Sequence, residues 1–367
     1  MEESQYTFHY RNHEDLSYYV FENIYYQTTP NKWLYYSQSS QNLNLPNIYF
    51  SPVEKTEFFT IECVTKINLD QIQPIINIPT ILTTTIAKNY AHAIIDHVYP
   101  IYCLTEDYNS NIKYNLFIDK HKIRKFRQHD IIDYDNKVYT NFTRNIIKPF
   151  LENTIFQIGL GNNKIFHFKK LIVGGTSNYA RSIWYNQNFL NTRKREYYLS
   201  NKYFRNLFRK YSNKTLSYFN INTDHNMKYI TLCNRKINRG FTEESCNNLF
   251  NKLLNKTYKY PVYNKILYFE DISFEETLNT MNQTKVFITP HGANITNIIW
   301  MNPDSIVIEV FPGNDNRSIY FKSLSDVLDI NYYEYIDGNR SKGDFFWNVN
   351  ENILSFVNKI LEKIDDS

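Results

Sequence analysis

The sequence is short of cysteine and has no long apolar run, and each absence excludes a class of protein. Its four cysteines are widely separated, form no C-x-x-C pair and have no matching histidine spacing, so neither a zinc site nor a disulfide framework is predicted. No run approaches the roughly 20 apolar residues of a membrane-spanning helix. The polar start, MEESQYTFHYRNHEDL, lacks the apolar core of a signal peptide. We therefore expect a soluble intracellular protein without a membrane span.

Strong charge of either sign is also lacking. The chain has 41 basic and 37 acidic side chains, a formal net charge of +4, which permits anionic ligands but does not indicate a nucleic-acid-binding protein. Its 367 residues are enough for two domains with separate cores. The hydrophobic content comes unusually from 32 tyrosines and 26 phenylalanines. With abundant Asn, Ile and Lys, this bias is typical of an AT-rich coding background, so it does not by itself predict carbohydrate binding.

One stretch, Lys285 to Pro312, has the pattern of a strand, a turn, a helix and a second strand. The apolar run Val286 to Ile288 predicts a buried strand. Gly292 lies in the turn that follows, where it can adopt backbone angles closed to other residues. Residues 294–301 then predict a short helix, and residues 305–310 a second buried strand. Units of this kind bind ligands outside the carboxyl ends of their strands.

The start of this predicted helix favours an anion. Free backbone N–H groups from Gly292 to about Ile295 would face the crevice beyond the strands, and such groups suit a phosphate. The side chains of His291, Thr296 and Asn297 add hydrogen-bond donors at the same place. The stretch is therefore predicted to form an anion-binding corner.

A second organised stretch, Pro79 to Leu104, predicts a strand that leads into a helix. Apolar residues recur on one side of this helix and indicate a buried face; they are Ala91, Ile94, Ile95 and Val98. His92 and Asp96 are spaced i, i+4, so an α-helix would project both side chains from one face. Taken alone, an exposed pair that stabilises the helix by a few tenths of a kcal/mol is the simpler interpretation.

The second half of the chain alternates strand and helix patterns. A strand over residues 228–233 is followed by amphipathic helices, one of which begins at Ser273 with Glu276 three residues on, a capping box. This alternation predicts a parallel sheet with helices on both faces. Arg235 and Arg239 follow the first strand, and a guanidinium can bond two oxygens of a diphosphate at once.

The residues of the corner resemble a known family. HGANITN followed by SIVIEVFP is similar to the signature of glycosyltransferase family 61, in which an H-G-A turn and a T-N pair precede an apolar strand that ends in Glu near a Pro. The matching positions are His291, Gly292, Ala293, Thr296, Asn297, Glu309 and Pro312. Asn294 departs from the small residue usual in the family, and Ile295 replaces Leu.

A second motif of that family, N-x-x-H-W-x-x-D at the start of a helix, resembles a segment far upstream. The matching positions are Asn89, His92 and Asp96. Ala93 replaces the Trp, and Thr277 stands near the place of a Gln in the family. Arg235 holds the place of an Arg that ends a strand before the first helix of the C-terminal domain. Two motifs in the family's order favour membership.

The resemblance implies an α/β fold of the GT-B type, with two Rossmann-like domains facing a central cleft. The expected boundaries are 1–190 for an N-terminal acceptor-side domain, 191–225 for a linking helix, 226–345 for a nucleotide-sugar-binding domain and 346–367 for a final helix. The implied activity is the inverting transfer of a hexose or pentose from a nucleotide sugar, expected to be a UDP-sugar, to a hydroxyl of a protein or glycan. No metal or other cofactor is expected.

The resemblance also implies roles for individual residues. Asp96 is the expected base on the acceptor hydroxyl, with His92 either orienting it or serving instead. The donor is expected to be held at the anion-binding corner, where cationic and dipolar groups would stabilise the departing diphosphate and some side chains would bind ribose. The expected donor-binding residues are Arg235, Arg239, His291, Gly292, Ala293, Asn294, Thr296, Asn297 and Glu309.

Two alternatives stay open. Asp133-Tyr134-Asp135 follows an apolar pair, and this D-x-D pattern is how glycosyltransferases of the GT-A type hold a divalent cation on the diphosphate. Asn136 makes a simple turn equally compatible with it. In the other alternative the chain is a catalytically silent relative that binds a glycan or a protein, which loss of the nucleotide pocket would indicate.

Overall fold

A computed structural model of the chain describes residues 1–9, 18–39, 45, 48–49, 58–83, 90–119, 145–156, 160–174, 202–223, 227–236, 239–311, 320–336 and 346–365. The chain divides into two compact units, Met1–Asn186 and Gln187–Ser367. Each unit contains a β-sheet and helices, so the predicted α/β class is confirmed. The GT-B arrangement stays a prediction. Within the described residues, no helix has both the length and the apolar character needed to cross a membrane.

The first unit is built around a mixed sheet. The strands of this unit are β1 (Gln5–His9), β2 (Tyr18–Thr28), β3 (Asn31–Tyr36), β4 (Ile48–Tyr49), β5 (Phe58–Phe59), β6 (Ile61–Val64), β7 (Thr80–Thr83), β8 (Tyr114–Ile118), β9 (Leu151–Phe156) and β10 (Ile165–Val173). β4 and β5 form a separate two-stranded sheet. Over the described ranges, the main sheet has the order β6-β3-β2-β10-β7-β8-β9, with β1 added to β2. β7 lies parallel to both β8 and β10, whereas β2 runs antiparallel to β1, β3 and β10. These antiparallel pairs depart from a purely parallel Rossmann-like sheet.

Aromatic side chains fill the core of the first unit. The ring centroid of Trp33 lies 4.8 Å from that of Tyr26 and 5.3 Å from that of Phe117. Phe168 completes the cluster, at 5.3 Å from Trp33. Ring pairs that are tilted or edge-on, as these are, match the preference set by the ring quadrupole. Part of the unusual aromatic content therefore builds the interior of the protein.

The helix predicted around His92 has an unexpected geometry. A short 3-10 helix, Leu69–Gln71, precedes β7; after β7 the described chain resumes at residue 90 and forms a π-helix, His92–Val98, which continues as helix α1 (Tyr99–Asn109). The amide of Tyr99 donates to the carbonyl of Ile94, which is the i→i+5 bond of a π-helix. The predicted apolar face is confirmed, since Ala91, Ile94, Ile95 and Val98 are buried.

The second unit has the strand and helix alternation that the sequence predicts. Its elements are α2 (Lys202–Tyr218), β11 (Tyr229–Leu232), β12 (Gly240–Phe241), α3 (Glu243–Leu254), α4 (Phe274–Gln283), β13 (Thr284–Pro290), a 3-10 helix (Ala293–Trp300), β14 (Ile306–Phe311), α5 (Tyr320–Val327), β15 (Asn331–Ile336), β16 (Phe346–Trp347) and α6 (Glu351–Asp365). Strands β11, β13, β14 and β15 form a parallel sheet in that order. The predicted parallel sheet is confirmed.

The connectivity of this sheet reverses at one place. Val262 and Leu267, on the segment between α3 and α4, bridge to the outer edge of β11 in parallel. If this bridging segment is counted as the second strand, the strands of the sheet lie in the order 2-1-3-4-5, as in doubly wound folds. The order changes direction between β11 and β13, and such a switch point opens a crevice outside the carboxyl ends of the two strands.

Helices cover both faces of the parallel sheet. Ile288 and Ile308 share one face and belong to a core cluster that includes side chains of α3 and α6. On the other side the 3-10 helix packs against α2, α4 and α5, and the ring of its Trp300 lies 5.7 Å from that of Tyr211 and 5.8 Å from that of Phe274. Glu309 of β14 lies on this second face, and its carboxylate is buried between the sheet and these helices.

Helix α4 begins as predicted, but its capping box is only half formed. The hydroxyl of Ser273 accepts a hydrogen bond from the amide of Glu276 at 3.0 Å. The Glu276 carboxylate pairs instead with Lys265 at 2.9 Å. Thr277, near the place of the family's Gln, donates to the carbonyl of Ser273 at 3.0 Å. Its hydroxyl is therefore engaged within the helix start.

Candidate functional site

The predicted corner lies at the switch point of the parallel sheet. β11 ends at Leu232 and is followed by Arg235, while β13 ends at Pro290 and is followed by Gly292. These two chain ends are neighbours because β11 and β13 pair in parallel, in regular register from Ile230 to Leu232. The fold thus brings together segments that the sequence separates widely, at the place where doubly wound sheets bind ligands.

Arg235 and Gly292 are in close contact. A Cβ on Gly292 would lie 2.0 Å from Nη1 of Arg235 and 3.0 Å from its Cζ. The same Nη1 donates to the carbonyl of His291 at 3.5 Å, the outer limit of a hydrogen bond. Gly292 also has a φ of +150°, in the range that side chains rarely adopt. Glycine is required here both for its backbone angle, as predicted, and for the guanidinium that occupies the space of a side chain.

The Arg235 guanidinium is a partly buried cation with unused donors. Its Nε is buried and has no hydrogen-bond partner among the described residues. Burial lowers the pKa of Arg235, the charge of Glu270 opposes this shift, and the neighbouring positive charge of Arg239 adds to it. A guanidinium stays charged under such conditions. The two positive charges of Arg235 and Arg239, together with the unpartnered Nε–H of Arg235, therefore favour an anion at this point.

Backbone amides at the start of the 3-10 helix add further donors. For the amides of Gly292, Ala293 and Asn294, no acceptor is found in the described part of the chain. The prediction was wrong for Ile295, whose amide donates to the carbonyl of Gly292 at 3.0 Å. The cause is the tighter 3-10 turn, in which bonds span three residues rather than four. Three amides, rather than four, are thus available beside Arg235.

Asn234 closes the loop that contains the two arginines. Its side-chain nitrogen donates to the carbonyl of Phe241 at 3.0 Å, and its side-chain oxygen accepts from the amide of Phe241 at 2.8 Å. Asn234 is buried, and a Cβ on Gly240 would lie only 2.6 Å from the carbonyl oxygen of Arg235. Arg239, also in this loop, is exposed and has a φ of +59°. The two ends of the arginine loop are held together by one amide side chain.

His291 is fixed by a buried carboxylate. Its Nδ1 hydrogen-bonds to Oε1 of Glu309, and the hydroxyl of Tyr332 donates to Oε2 of Glu309 at 2.6 Å. The Glu309 side chain is fully buried (0% exposed). The imidazole stacks on Phe311, with 4.5 Å between ring centroids and 20° between planes, and meets Phe321 edge-on at 5.9 Å. These contacts hold the ring in one orientation.

This pairing sets which nitrogen of His291 is presented to a ligand. Because a carboxylate only accepts hydrogen bonds, the imidazole proton lies on Nδ1. Nε2 then has no partner among the described residues and is the ring atom that can meet a ligand. Both oxygens of Glu309 are engaged, which suits it to orienting His291. Its predicted contact with ribose stays a prediction.

The remaining predicted donor-site residues lie along the 3-10 helix. Thr296 is fully buried, and its hydroxyl has no hydrogen-bond partner within the described ranges. Asn297 is buried and donates to the carbonyl of Asn294 at 3.0 Å. The Asn294 side chain in turn lies 3.6 Å from the sulfur of Cys233, at the end of β11. Asn294 and Asn297 thus connect the helix start to the neighbouring strand.

The predicted base candidates lie in the π-helix of the first unit. The backbone of His92 and Asp96 belongs to His92–Val98, while their side chains fall outside the described part of the structure. The predicted α-helical geometry was wrong here, so the i, i+4 argument does not apply as it stands. π-helical turns occur frequently at functional sites, which is an independent reason to consider this segment. The catalytic roles stay predictions.

Other predicted positions fall outside the described residues: Asn89, Asp133, Asp135 and Pro312. Within the described residues, no cluster of three or more His, Cys, Asp or Glu side chains forms a metal site.

Two residues of the site were missed by the sequence analysis, Asn234 and Tyr332. Neither belongs to a recognisable motif, and only the pairing of strands brings Tyr332 to Glu309.

The comparison with known proteins gives a family match over much of the chain. A family model described as Glycosyltransferase 61 matches residues 90–308. The matched region is more than half of the chain; it begins just before the π-helix and ends within β14, one residue before Glu309. No curated protein matches the chain.

Proposed function

This chain belongs to glycosyltransferase family 61, and from that premise we propose that it is an inverting transferase that moves a sugar from a UDP-sugar to a hydroxyl of a protein or glycan. Membership itself indicates a sugar donor and an acceptor. The choice of UDP, the inverting stereochemistry and a GT-B arrangement of the two units belong to the proposal. The transferred sugar in this proposal is a hexose or a pentose.

The observation that supports a nucleotide-sugar donor best is the contact between Arg235 and Gly292 at the switch point. A diphosphate placed there would meet a guanidinium with an unpartnered Nε and three backbone amides. The guanidinium fork can bond two phosphate oxygens, and the amides at a helix start add dipolar attraction. Arg239, in the same loop, adds a second positive charge.

The proposed reaction uses these groups on the departing diphosphate. The acceptor hydroxyl oxygen forms a bond to the anomeric carbon from the side opposite the diphosphate, and the bond from that carbon to the diphosphate oxygen breaks. The electron pair goes to the diphosphate, where Arg235, Arg239 and the amides would stabilise it. His291, through Nε2, would add a contact to the same group. The hydroxyl proton would pass to Asp96, or to His92 if the histidine is the base.

We propose that no metal is needed at the diphosphate. Two arginines and a helix start supply at this corner the positive charge that a divalent cation supplies in GT-A enzymes. The competing D-x-D segment, Asp133 and Asp135, lies outside the described residues. Chelation therefore separates the two proposals, because a metal-dependent donor site loses its affinity in EDTA.

A thermal-shift screen of nucleotide sugars and free nucleotides, run in EDTA, tests the proposal. A ligand at a hundred times its dissociation constant stabilises the folded protein by roughly 2.7 kcal/mol. We expect UDP and at least one UDP-sugar to raise the unfolding temperature, and adenine nucleotides to raise it less. No shift with any nucleotide would instead favour the silent glycan- or protein-binding relative.

A further inference from the structure

Tyr332 is connected to the proposed donor site by the geometry of three neighbouring strands. In the parallel register, Tyr332 of β15 lies beside Val307 of β14, and Glu309 lies beside Thr289 of β13. Side chains two residues apart on a strand point to the same face. Val307 and Glu309 therefore share a face, as do Thr289 and His291, so the sheet places Tyr332, Glu309 and His291 in one row.

Hydrogen bonds join the members of this row. The Tyr332 hydroxyl donates to Oε2 of Glu309 at 2.6 Å, and Oε1 of the same carboxylate accepts a hydrogen bond from Nδ1 of His291. Burial, followed by the charge of Glu309 and the hydrogen bond to it, raises the pKa of Tyr332. The phenol therefore keeps its proton and remains a donor over the whole physiological pH range.

A fully buried carboxylate needs donors on both oxygens, because an uncompensated buried charge is strongly unfavourable. His291 satisfies one oxygen of Glu309 and Tyr332 the other. Without the phenol hydroxyl, Oε2 of Glu309 would lose its donor, and the carboxylate would have to rotate to find another. Rotation moves the acceptor that holds the proton on Nδ1 of His291.

We infer that Tyr332 is a positioning residue, which fixes Glu309 so that His291 presents Nε2 to the diphosphate of the donor. The inference rests on the proposed function for its ligand. It concerns a residue beyond the family match, which ends at residue 308. The relay itself, from phenol to carboxylate to imidazole, is independent of which nucleotide is bound.

The first test measures the His291 ring directly in the ligand-free protein. Long-range ¹H–¹⁵N spectra distinguish the two neutral tautomers of a histidine, and a His291→Gln variant assigns the signals among the nine histidines of the chain. We expect the Nδ1–H form in the wild type and a mixture of tautomers in Tyr332→Phe. Tyr333→Phe is the matched control, since Tyr333 is the next residue on the strand and is 36% exposed.

The second test measures UDP affinity by calorimetry for the same variants. We expect Tyr332→Phe to bind UDP about tenfold more weakly and Tyr333→Phe to bind it as the wild type does. An unchanged tautomer signal or an unchanged UDP affinity in Tyr332→Phe would overturn the inference. If the wild type binds no UDP, the proposed function fails, and the tautomer signal still decides whether Tyr332 positions His291.

A double variant covers the case in which Tyr332→Phe does not fold. Glu309→Gln removes the buried charge, so Tyr332→Phe is expected to fold in that background. If Tyr332 acts through Glu309, adding Tyr332→Phe to Glu309→Gln changes UDP affinity less than twofold. A further loss of about tenfold on adding Tyr332→Phe to Glu309→Gln would show that Tyr332 acts by another route, and would overturn the inference.

Discussion

Nη1 of Arg235 lies 2.0 Å from the point where a Cβ on Gly292 would be. The two residues follow adjacent parallel strands, β11 and β13, and meet at the switch point of the sheet. The contact explains why a glycine and an arginine occur together at this site: one residue leaves the space and the other fills it with positive charge. The proposed diphosphate site depends on this contact.

Gly292→Ala is predicted to displace the guanidinium. The added methyl would collide with the flexible end of Arg235, and the φ of +150° adds backbone strain of order 1–3 kcal/mol. We expect UDP affinity to fall at least about tenfold. The matched control is Gly161→Ala, because Gly161 also has a positive φ (+74°) but the nearest atoms, on Lys164, are 3.6 Å away. Equal UDP affinity in both variants would show that the contact has no part in binding.

Arg235→Ala is predicted to weaken UDP binding by roughly 1.5 to 3 kcal/mol, the range for a hydrogen bond to a charged group. Folding is expected to change little, because Arg235 makes only one long hydrogen bond in the described structure. Lys236→Ala is the control: this neighbouring cation is exposed and paired with Asp271 at 2.6 Å. Calorimetry that gives the same UDP affinity for Arg235→Ala and the wild type would remove Arg235 from the site.

Asn234→Ala is predicted to loosen the arginine loop. It removes two buried hydrogen bonds and leaves the amide and carbonyl of Phe241 unsatisfied, at about 1–3 kcal/mol for each unsatisfied group. Both stability and UDP affinity are expected to fall. Asn282→Ala should lower stability alone. Buried Asn282 donates to the carbonyl of Asn222 at 2.7 Å, and it lies in the last turn of α4, before the start of β13, whereas the site follows the end of β13. If Asn234→Ala likewise lowers stability alone, the hydrogen bonds between Asn234 and Phe241 stabilise the fold and do not position the arginines.

The rate of sugar transfer by single variants distinguishes whether Asp96 or His92 is the base. A base acts on the acceptor, so its loss should slow transfer while the donor still binds. We expect Asp96→Asn to keep its UDP-sugar affinity and to lose several orders of magnitude in transfer rate. His92→Ala should do less if the imidazole only orients the carboxylate, and as much if it is the base. Hydrolysis of the donor by water is assayed separately. Near-normal transfer by both variants would place the base elsewhere.

The sequence predicted those parts of the site that are local along the chain. The strand, the glycine turn and the helix start of residues 285–301 follow from apolar spacing and from the special conformational range of Gly292. The 3-10 form of that helix was not predicted, since periodicity does not separate 3-10 from α over eight residues. The same reason applies to the π-helix His92–Val98, where the apolar face was correct and the hydrogen-bond pattern was not.

The pairings within the site are not local and could not be predicted. His291 and Glu309 were both candidates, but their hydrogen bond depends on the register of β13 with β14. Tyr332 was not a candidate, because nothing near it in sequence marks a partner across β14. Asn234 likewise acquires its role only when the loop closes on Phe241. Register and loop closure are tertiary properties, whereas motif and periodicity are properties of short segments.

Titration of the wild-type chain with UDP in EDTA is the most direct test of the central claim, that a nucleoside diphosphate binds at the switch point without a metal. We expect one UDP per chain, with an affinity that manganese does not improve, and loss of that binding in Arg235→Ala. Binding that is absent in EDTA and restored by manganese would contradict the claim, and would move the donor site to Asp133 and Asp135.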